Sequence, residues 1–334
     1  MNLEKRNPLI DYARYVFAFL VVCIHVPLAH GGIIYMPLAR CAVPFFYLVT
    51  GYFLSISMEE GNTEGKIRKV CVKWLKLYGK YIALFLLISF ILDACFHQME
   101  RWTSTDSLWL LLSGSPPFID QHVWNGHIYG ISTLWFLYCG FLALCTLYLL
   151  RKYLYTKWLF GIIITLQIVS AIALHEQWTR WLLFYSSIPF LYYGMLLGRK
   201  TKGNTGILHS SKQYTILAVF SLFLFCVSVL EIILHKDVFI ANIPLSLGLF
   251  ILLTDSRHYC KYLYNNILPP PTISHIFTLD IYIWHRLIYY LMKIIGIEMY
   301  GWDAVVVFCV TLALAMTMRI GASRIKVPVK GFRK

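Results

Sequence analysis

Apolar residues gather along this chain into ten runs, each near the roughly 20 residues that a helix needs to cross about 30 Å of hydrocarbon. The runs cover 12–28, 36–56, 78–97, 129–150, 158–175, 181–198, 214–234, 238–254, 273–297 and 302–320. No internal repeat, low-complexity tract or long linker divides them. The pattern predicts an all-α, polytopic integral membrane protein with about ten transmembrane helices, organised as a single membrane-embedded domain over 1–334. Lys5 and Arg6 precede the first run as they would a secretion signal, but the run carries Arg14 and His25 and no small-residue cleavage site follows. It therefore reads as a retained helix. The longest break, 98–128, holds Leu108 to Leu112, closed by Ser113, Gly114, Ser115, Pro116 and Pro117. That stretch is too short to span, and two readings stand: a re-entrant or interfacial segment over a cavity, or a plain interfacial loop.

Composition agrees with the pattern. The chain has 334 residues, is 59% hydrophobic and 14% charged, and its mean hydropathy is +0.64. A soluble domain carries about 25% charged residues, so that class is excluded. Disorder and disulfide scaffolds are excluded as well, because apolar residues dominate and the nine cysteines show no paired close spacing. Cys23, Cys41, Cys95, Cys139, Cys145, Cys226 and Cys309 lie in apolar runs and read as small buried side chains.

The net charge of +14 needs a different account. Lys and Arg crowd both chain tails and the breaks after the second, fourth, sixth and eighth runs, whereas the alternate breaks hold only Arg101, Arg180 and Lys236. By the positive-inside rule both termini are cytoplasmic. Topology thus explains the pI of 9.3, and no nucleic-acid partner is implied.

Charges inside the runs are the chemical signal. An arginine at a helix centre costs about 2.5–3.5 kcal/mol on insertion scales, and Arg14 shares a run with His25. Eleven residues at about 100° each bring both side chains to nearly one face, roughly 16 Å apart along the axis. Arg14 either snorkels to headgroups or serves a site, and His25 is either an interhelical hydrogen-bonding residue or a reactive one. Arg40 and Glu231 are the next most deeply placed charges near the outer side, where Arg40 pairs with a carboxylate, orients a substrate or stabilises developing negative charge. Asp93 and Glu231 read first as interfacial partners. His285 lies well inside the ninth run, and Asp280, five residues earlier, does not share its helix face, so the two form no dyad. Lys293 and Arg286 either line the same cavity or snorkel outward.

Several segments recur in a familiar order: Asp11-Tyr-Ala-Arg14 with His25, then Arg40 and Pro44-Phe45-Phe46, Thr50-Gly51-Tyr52-Phe53-Leu54, Leu134-Trp135-Phe136-Leu137, and Leu279-Asp280-Ile281-Tyr282-Ile283-Trp284-His285. Together they resemble the integral-membrane acyltransferase 3 family, which includes bacterial O-acetyltransferases of surface polysaccharides and lipid-linked sugars. Thr50 departs from the serine expected there, and a two-domain relay with the extra C-terminal esterase-like domain of some members is not expected. The resemblance implies a multi-pass protein of the cell inner membrane that moves an acyl group, usually acetyl from acetyl-CoA, to a sugar or glycolipid hydroxyl. Carried over residue by residue, it makes His25 catalytic and Arg14 its partner in donor binding, and it supports a role for His285; with Arg40 and Glu231, singled out by their depth alone, His285 is an acceptor or transition-state candidate.

The residues fit that chemistry. A thioester is already activated, so the enzyme chiefly has to bring a hydroxyl to it and remove the proton, a general-base task suited to imidazole near neutral pH. Lys66, Lys69, Lys73, Lys76 and Lys80 fall on one helical face, with Ile67, Val70, Trp74, Leu77 and Tyr81 as an apolar companion face. This stripe attracts anionic membrane lipids, and Lys69 and Lys73 are candidates for meeting CoA phosphates as well. No metal motif or phosphate-cradling glycine loop occurs, so no tightly bound cofactor is expected beyond the acyl-CoA donor. The competing class is a polytopic transporter or flippase for a glycan or lipid-linked intermediate.

Overall fold

The computed structural model describes residues 8–26, 28, 32–58, 63–95, 131–173, 182–201, 206–234, 240–259 and 277–325. These residues form α1 (Pro8–His25), α2 (Gly32–Ser57), α3 (Thr63–Cys95), α4 (Trp135–Leu149), α5 (Lys157–Ala173), α6 (Ile188–Lys200), α7 (Ser211–Ile233), α8 (Asn242–Tyr259), α9 (Phe277–Ile294) and α10 (Asp303–Ile325). A 3-10 turn, Ile131–Leu134, leads into α4, and a π-helical turn, Leu182–Ser187, leads into α6. The described part of each apolar run falls chiefly on one helix, and no strand occurs among the described residues. Three of the helices, over Gly32–Ser57, Glu64–Cys95 and Ser211–Ile233, are long and apolar enough to cross a bilayer by themselves. The break 98–128, together with His30, His97, His127 and His235, lies outside the described residues.

Helix ends follow local chemistry. Ser210 caps α7 by accepting the Gln213 N–H at 3.2 Å, while the Gln213 side chain accepts the His209 N–H at 2.7 Å, in the manner of a capping box. Pro189 sits in the first turn of α6, where its missing N–H is no loss. Near the start of α3, Glu64 accepts from the Tyr148 hydroxyl at 2.7 Å and from Arg151 Nε at 3.1 Å. The tyrosine hydrogen bond and the guanidinium together hold the exposed Glu64 carboxyl below the usual carboxylate range.

Helix α2 is the hub, packed on α1, α3, α6, α7 and α8. Its closest partner is α6, because glycines remove the side chains that would hold the two backbones apart. A Cβ added at Gly51 would run into the Leu191 carbonyl, one at Gly194 into Leu48, and one at Gly198 into Tyr52. Small residues at such spacing are how membrane helices gain packing contacts where no hydrophobic force drives them together. Aromatic rings fill the remaining space along α2: Phe45 meets Phe17 at 4.3 Å between centroids, and Tyr47 meets Phe136 at 4.6 Å while donating to the Phe136 carbonyl at 2.9 Å.

The outer helices are apolar outward. On α7 the buried residues are Ser221, Leu224 and Ser228, whereas Ile216, Val219, Phe220, Leu222 and Phe223 are exposed. Ser228 donates to the buried Asn242 side chain at the start of α8. This inversion of the soluble pattern marks a lipid-facing helix, and the protein is a membrane protein. It also corrects the expectation for cysteine: Cys23, Cys41 and Cys139 are buried, but Cys95, Cys226 and Cys309 are exposed, because an apolar run does not tell which face meets lipid. Helix α3 runs unbroken for 33 residues, about 50 Å, and lays the companion face of its lysine stripe on α4, with Trp74 wedged against Gly140 and Tyr78 5.4 Å from Tyr138.

Replacing Gly194 by valine forces α2 and α6 apart and is expected to lower stability by about 2 kcal/mol or more, as overpacked cores do. Thermal melting in detergent checks this against Gly161→Ala, where a Cβ meets nothing within 4 Å and the melting point should stay within a degree or so of the parent.

Candidate active site

Two polar centres lie along α1. The first is a cavity of about 640 Å³ that brings Arg14 of α1 together with Thr50 of α2, Lys73, Lys80 and Tyr81 of α3, and Asp280 of α9. Arg14 Nη1 pairs with Asp11 Oδ1 at 2.9 Å, and its guanidinium lies 5.3 Å from the centre of the Phe53 ring. The pair offsets part of the cost of burying the guanidinium and fixes its direction. Across the cavity the Tyr81 hydroxyl donates to Asp280 Oδ1 at 3.3 Å, and Lys80 Nζ lies 5.5 Å from the Tyr81 ring. The cavity therefore presents three cations and one carboxylate that already holds a hydrogen bond. Lys69, exposed as Lys73 and Lys80 also are, does not line it. The lysine stripe is thus divided, with Lys73 and Lys80 turned to the cavity.

Phe46, Phe136 and Tyr282 also line the cavity as a layer of rings, with Phe136 5.0 Å from Tyr282 and 6.3 Å from Phe46 between ring centres. Beyond this aromatic layer is the second centre. The rings of His25, at the end of α1, and His285, in α9, face each other with centroids 5.3 Å apart and planes 29° apart, and the Tyr282 ring lies 6.0 Å from His285. Small and β-branched residues allow the approach: Ala18 and Val22 of α1 pack with Ile281 of α9 and with Ala304 and Val307 of α10. His285 is fully buried, whereas His25 is half-buried. His285 Nδ1 lies 2.7 Å from the Tyr282 carbonyl and 3.2 Å from that of Ile281. Carbonyl oxygens only accept, so Nδ1 carries the ring proton and Nε2 is left with a lone pair.

The remaining candidates are distributed around this pair. Arg40 and Arg286 are the cations whose charge acts on His25. Arg40 and Glu231 in turn both act on Tyr185, in the π-helical turn before α6. Pro44 has no N–H to offer the Arg40 carbonyl four residues before it, which loosens α2 where Arg40 sits. Glu231 Oε1 accepts the N–H groups of Ile240 and Ala241 at 3.1 and 3.3 Å, a capping role at the entry to α8. It borders a separate apolar groove of about 930 Å³ between α5, α6, α7 and α8, away from the imidazoles. Among the described residues no three His, Cys, Asp or Glu side chains gather as a metal-sized group.

The family model for an acyltransferase domain matches residues 7–320, which takes in the cavity, the histidine pair and nearly the whole of every helix. The chain belongs to the acyltransferase 3 family. It is a family of membrane O-acyltransferases, so the general activity of the protein is acyl transfer in a membrane. No curated protein and no solved structure matches the chain.

Within this acyltransferase frame, the structure joins residues that periodicity leaves separate. Helix phase aligns Arg14 with His25, but nothing in the sequence pairs His25 with His285, 260 positions away, or chooses Lys80 over Lys69. Asp280 faces Tyr81 in the cavity while His285 faces His25, so the two share a helix and serve different centres. Because Thr50 lines the open cavity, a Thr50→Cys side chain should react with a membrane-impermeant thiol reagent applied to the face that carries Lys73 and Lys80. The same reagent on the opposite face should leave it unlabelled, which mass spectrometry of the intact protein can read.

Proposed function

We propose that the protein transfers acetyl from cytoplasmic acetyl-CoA to a hydroxyl of a cell-surface or lipid-linked sugar, with His25 as general base. The observation that carries this reading is that one helix places Arg14 in a three-cation cavity and, roughly 16 Å along its axis, His25 against the imidazole of His285. In this reading ten helices span the inner membrane, both termini are cytoplasmic, and the cavity opens to the cytoplasm. Lys73, Lys80 and Arg14 hold the phosphates of the donor through charge-assisted hydrogen bonds. The extended arm of the donor passes Phe46, Phe136 and Tyr282 and delivers its thioester to the imidazoles, while the acceptor comes from the outer side. Lys69 and Lys76, exposed on the same helix, meet anionic lipid instead.

Chemistry then follows from the geometry. The acceptor hydroxyl gives its proton to His25 as its oxygen attacks the thioester carbon, and the carbon–sulfur bond breaks with its electron pair going to the CoA sulfur, which takes the proton back from His25. Arg40, whose charge acts on His25, is the group that stabilises negative charge developing on the thioester oxygen. The family assignment favours this reading over a transporter or flippase, and the scattered cations of the cavity suit a phosphate-bearing donor.

Replacing His25 by alanine is expected to lower transfer of label from radioactive acetyl-CoA to alkali-labile membrane products at least 100-fold, the usual contribution of a positioned base. Full activity at equal protein level would remove His25 from the role. Lys73→Gln and Lys80→Gln should each raise the apparent donor KM roughly 10-fold, as the loss of one charge-assisted hydrogen bond does, and Lys69→Gln should leave it unchanged. Equal effects from all three would mean that the cavity does not select among them.

A further inference from the structure

His285 is fully buried, and its Nδ1 proton is committed to the Tyr282 carbonyl at 2.7 Å. Its Nε2 has no hydrogen-bond partner. A buried acceptor left without a donor is unfavourable, and the ring stacked beside it is His25. An edge-to-edge N–H···N contact at about 3 Å places two imidazole centres roughly 5 Å apart, and the observed separation is 5.3 Å. The rings are stacked as they stand, 29° apart in plane, so the contact forms when the His25 ring turns its edge toward His285 Nε2. Helix α9 holds its side of the pair in place, because Thr133 donates to the Ile283 carbonyl at 3.1 Å and Tyr81 donates to Asp280.

We propose that His285 is the positioning residue for His25, its Nε2 accepting the N–H of the His25 ring so that the other His25 nitrogen meets the acceptor hydroxyl unprotonated. This role rests on the reading of His25 as the general base of acyl transfer. With the tautomer of His285 fixed by the backbone of its own helix, the tautomer of His25 is fixed in turn. Being buried behind the half-buried His25, His285 stays out of contact with the acceptor. A neutral imidazole, unlike a carboxylate, orients the base without pairing with the imidazolium it becomes, which favours prompt return of the proton to the leaving thiolate. Atoms balance without His285 changing state: the hydroxyl proton passes to His25 and then to sulfur, the oxygen–carbon bond forms, and the carbon–sulfur bond breaks.

The test uses inverted membrane vesicles from the native host carrying the full-length protein, with radioactive acetyl-CoA as the probe and alkali-labile label in glycan and glycolipid as the readout. His285→Leu should lower kcat roughly 10- to 100-fold, the range expected from a misplaced base, with the donor KM within about twofold of the parent. His285→Gln, whose side-chain oxygen reaches the place of Nε2, should recover much of the loss, and a merely structural histidine would not show that rescue. The double variant His25→Ala/His285→Leu should be no slower than His25→Ala alone. If His285→Leu fails to accumulate, His285→Asn, which keeps a donor near Nδ1 and nothing at Nε2, takes its place beside His285→Gln. A His285→Leu enzyme at the parent rate, equal losses in Leu and Gln at equal protein level, or additive losses in the double variant would each overturn the proposal. Full activity in His25→Ala would instead overturn the base assignment beneath it, and vesicles that label no more than those of a strain lacking the gene would overturn acetyl transfer itself.

Discussion

Where Gly51 of α2 meets Leu191 and Met195 of α6, and Gly194 and Gly198 of α6 meet Leu48 and Tyr52 of α2, nothing separates the two backbones. In a bilayer the lipid tails are as apolar as leucine, so helices associate through close packing and polar contacts, not by escape from water. The backbone contact between α2 and α6 supplies that packing over several turns. Everything that α2 carries is registered from it: Arg40 near the histidine pair, Phe46 in the aromatic layer, Thr50 in the cavity.

The arrangement of charge follows from the same solvent. A charge at depth has to be paired or set against a cavity, and the charges around the first centre meet one of those conditions. Arg14 has Asp11 beside it, Lys73 and Lys80 border the cavity, and Asp280 accepts from Tyr81. An imidazole is cheaper to bury than a guanidinium or ammonium because it has a neutral form within reach of pH 7, which suits histidine to a base between packed helices. Tyr282 serves both centres, bordering the cavity with its side chain and fixing the His285 tautomer with its carbonyl.

Much of this was legible in the sequence. The ten apolar runs correspond one for one with the ten helices, because run length and polar breaks are local properties of the chain. The Arg14–His25 alignment follows from helix phase alone, and the acyltransferase family is carried by short segments such as Pro44-Phe45-Phe46 and Thr50-Gly51-Tyr52. What stayed hidden was which outward face each helix turns to lipid. Cys226 and Ser228 stand two positions apart on α7, yet the apolar residue is exposed and the polar one buried. In a run that is apolar all round, only a neighbouring helix defines the inside.

The sequence by itself determined the ten apolar runs, the bias of positive charge between alternate breaks and the family, since the first two are read within windows of some 20 residues and the third from short segments in order. Tertiary structure alone decided that His25 faces His285, that Lys80 joins Arg14 in one cavity while Lys69 does not, and that Glu231 caps α8. Those choices depend on the rotation and depth at which each helix packs. Glycine contacts and interlocked rings set them across the bundle, and no periodicity within one helix records them.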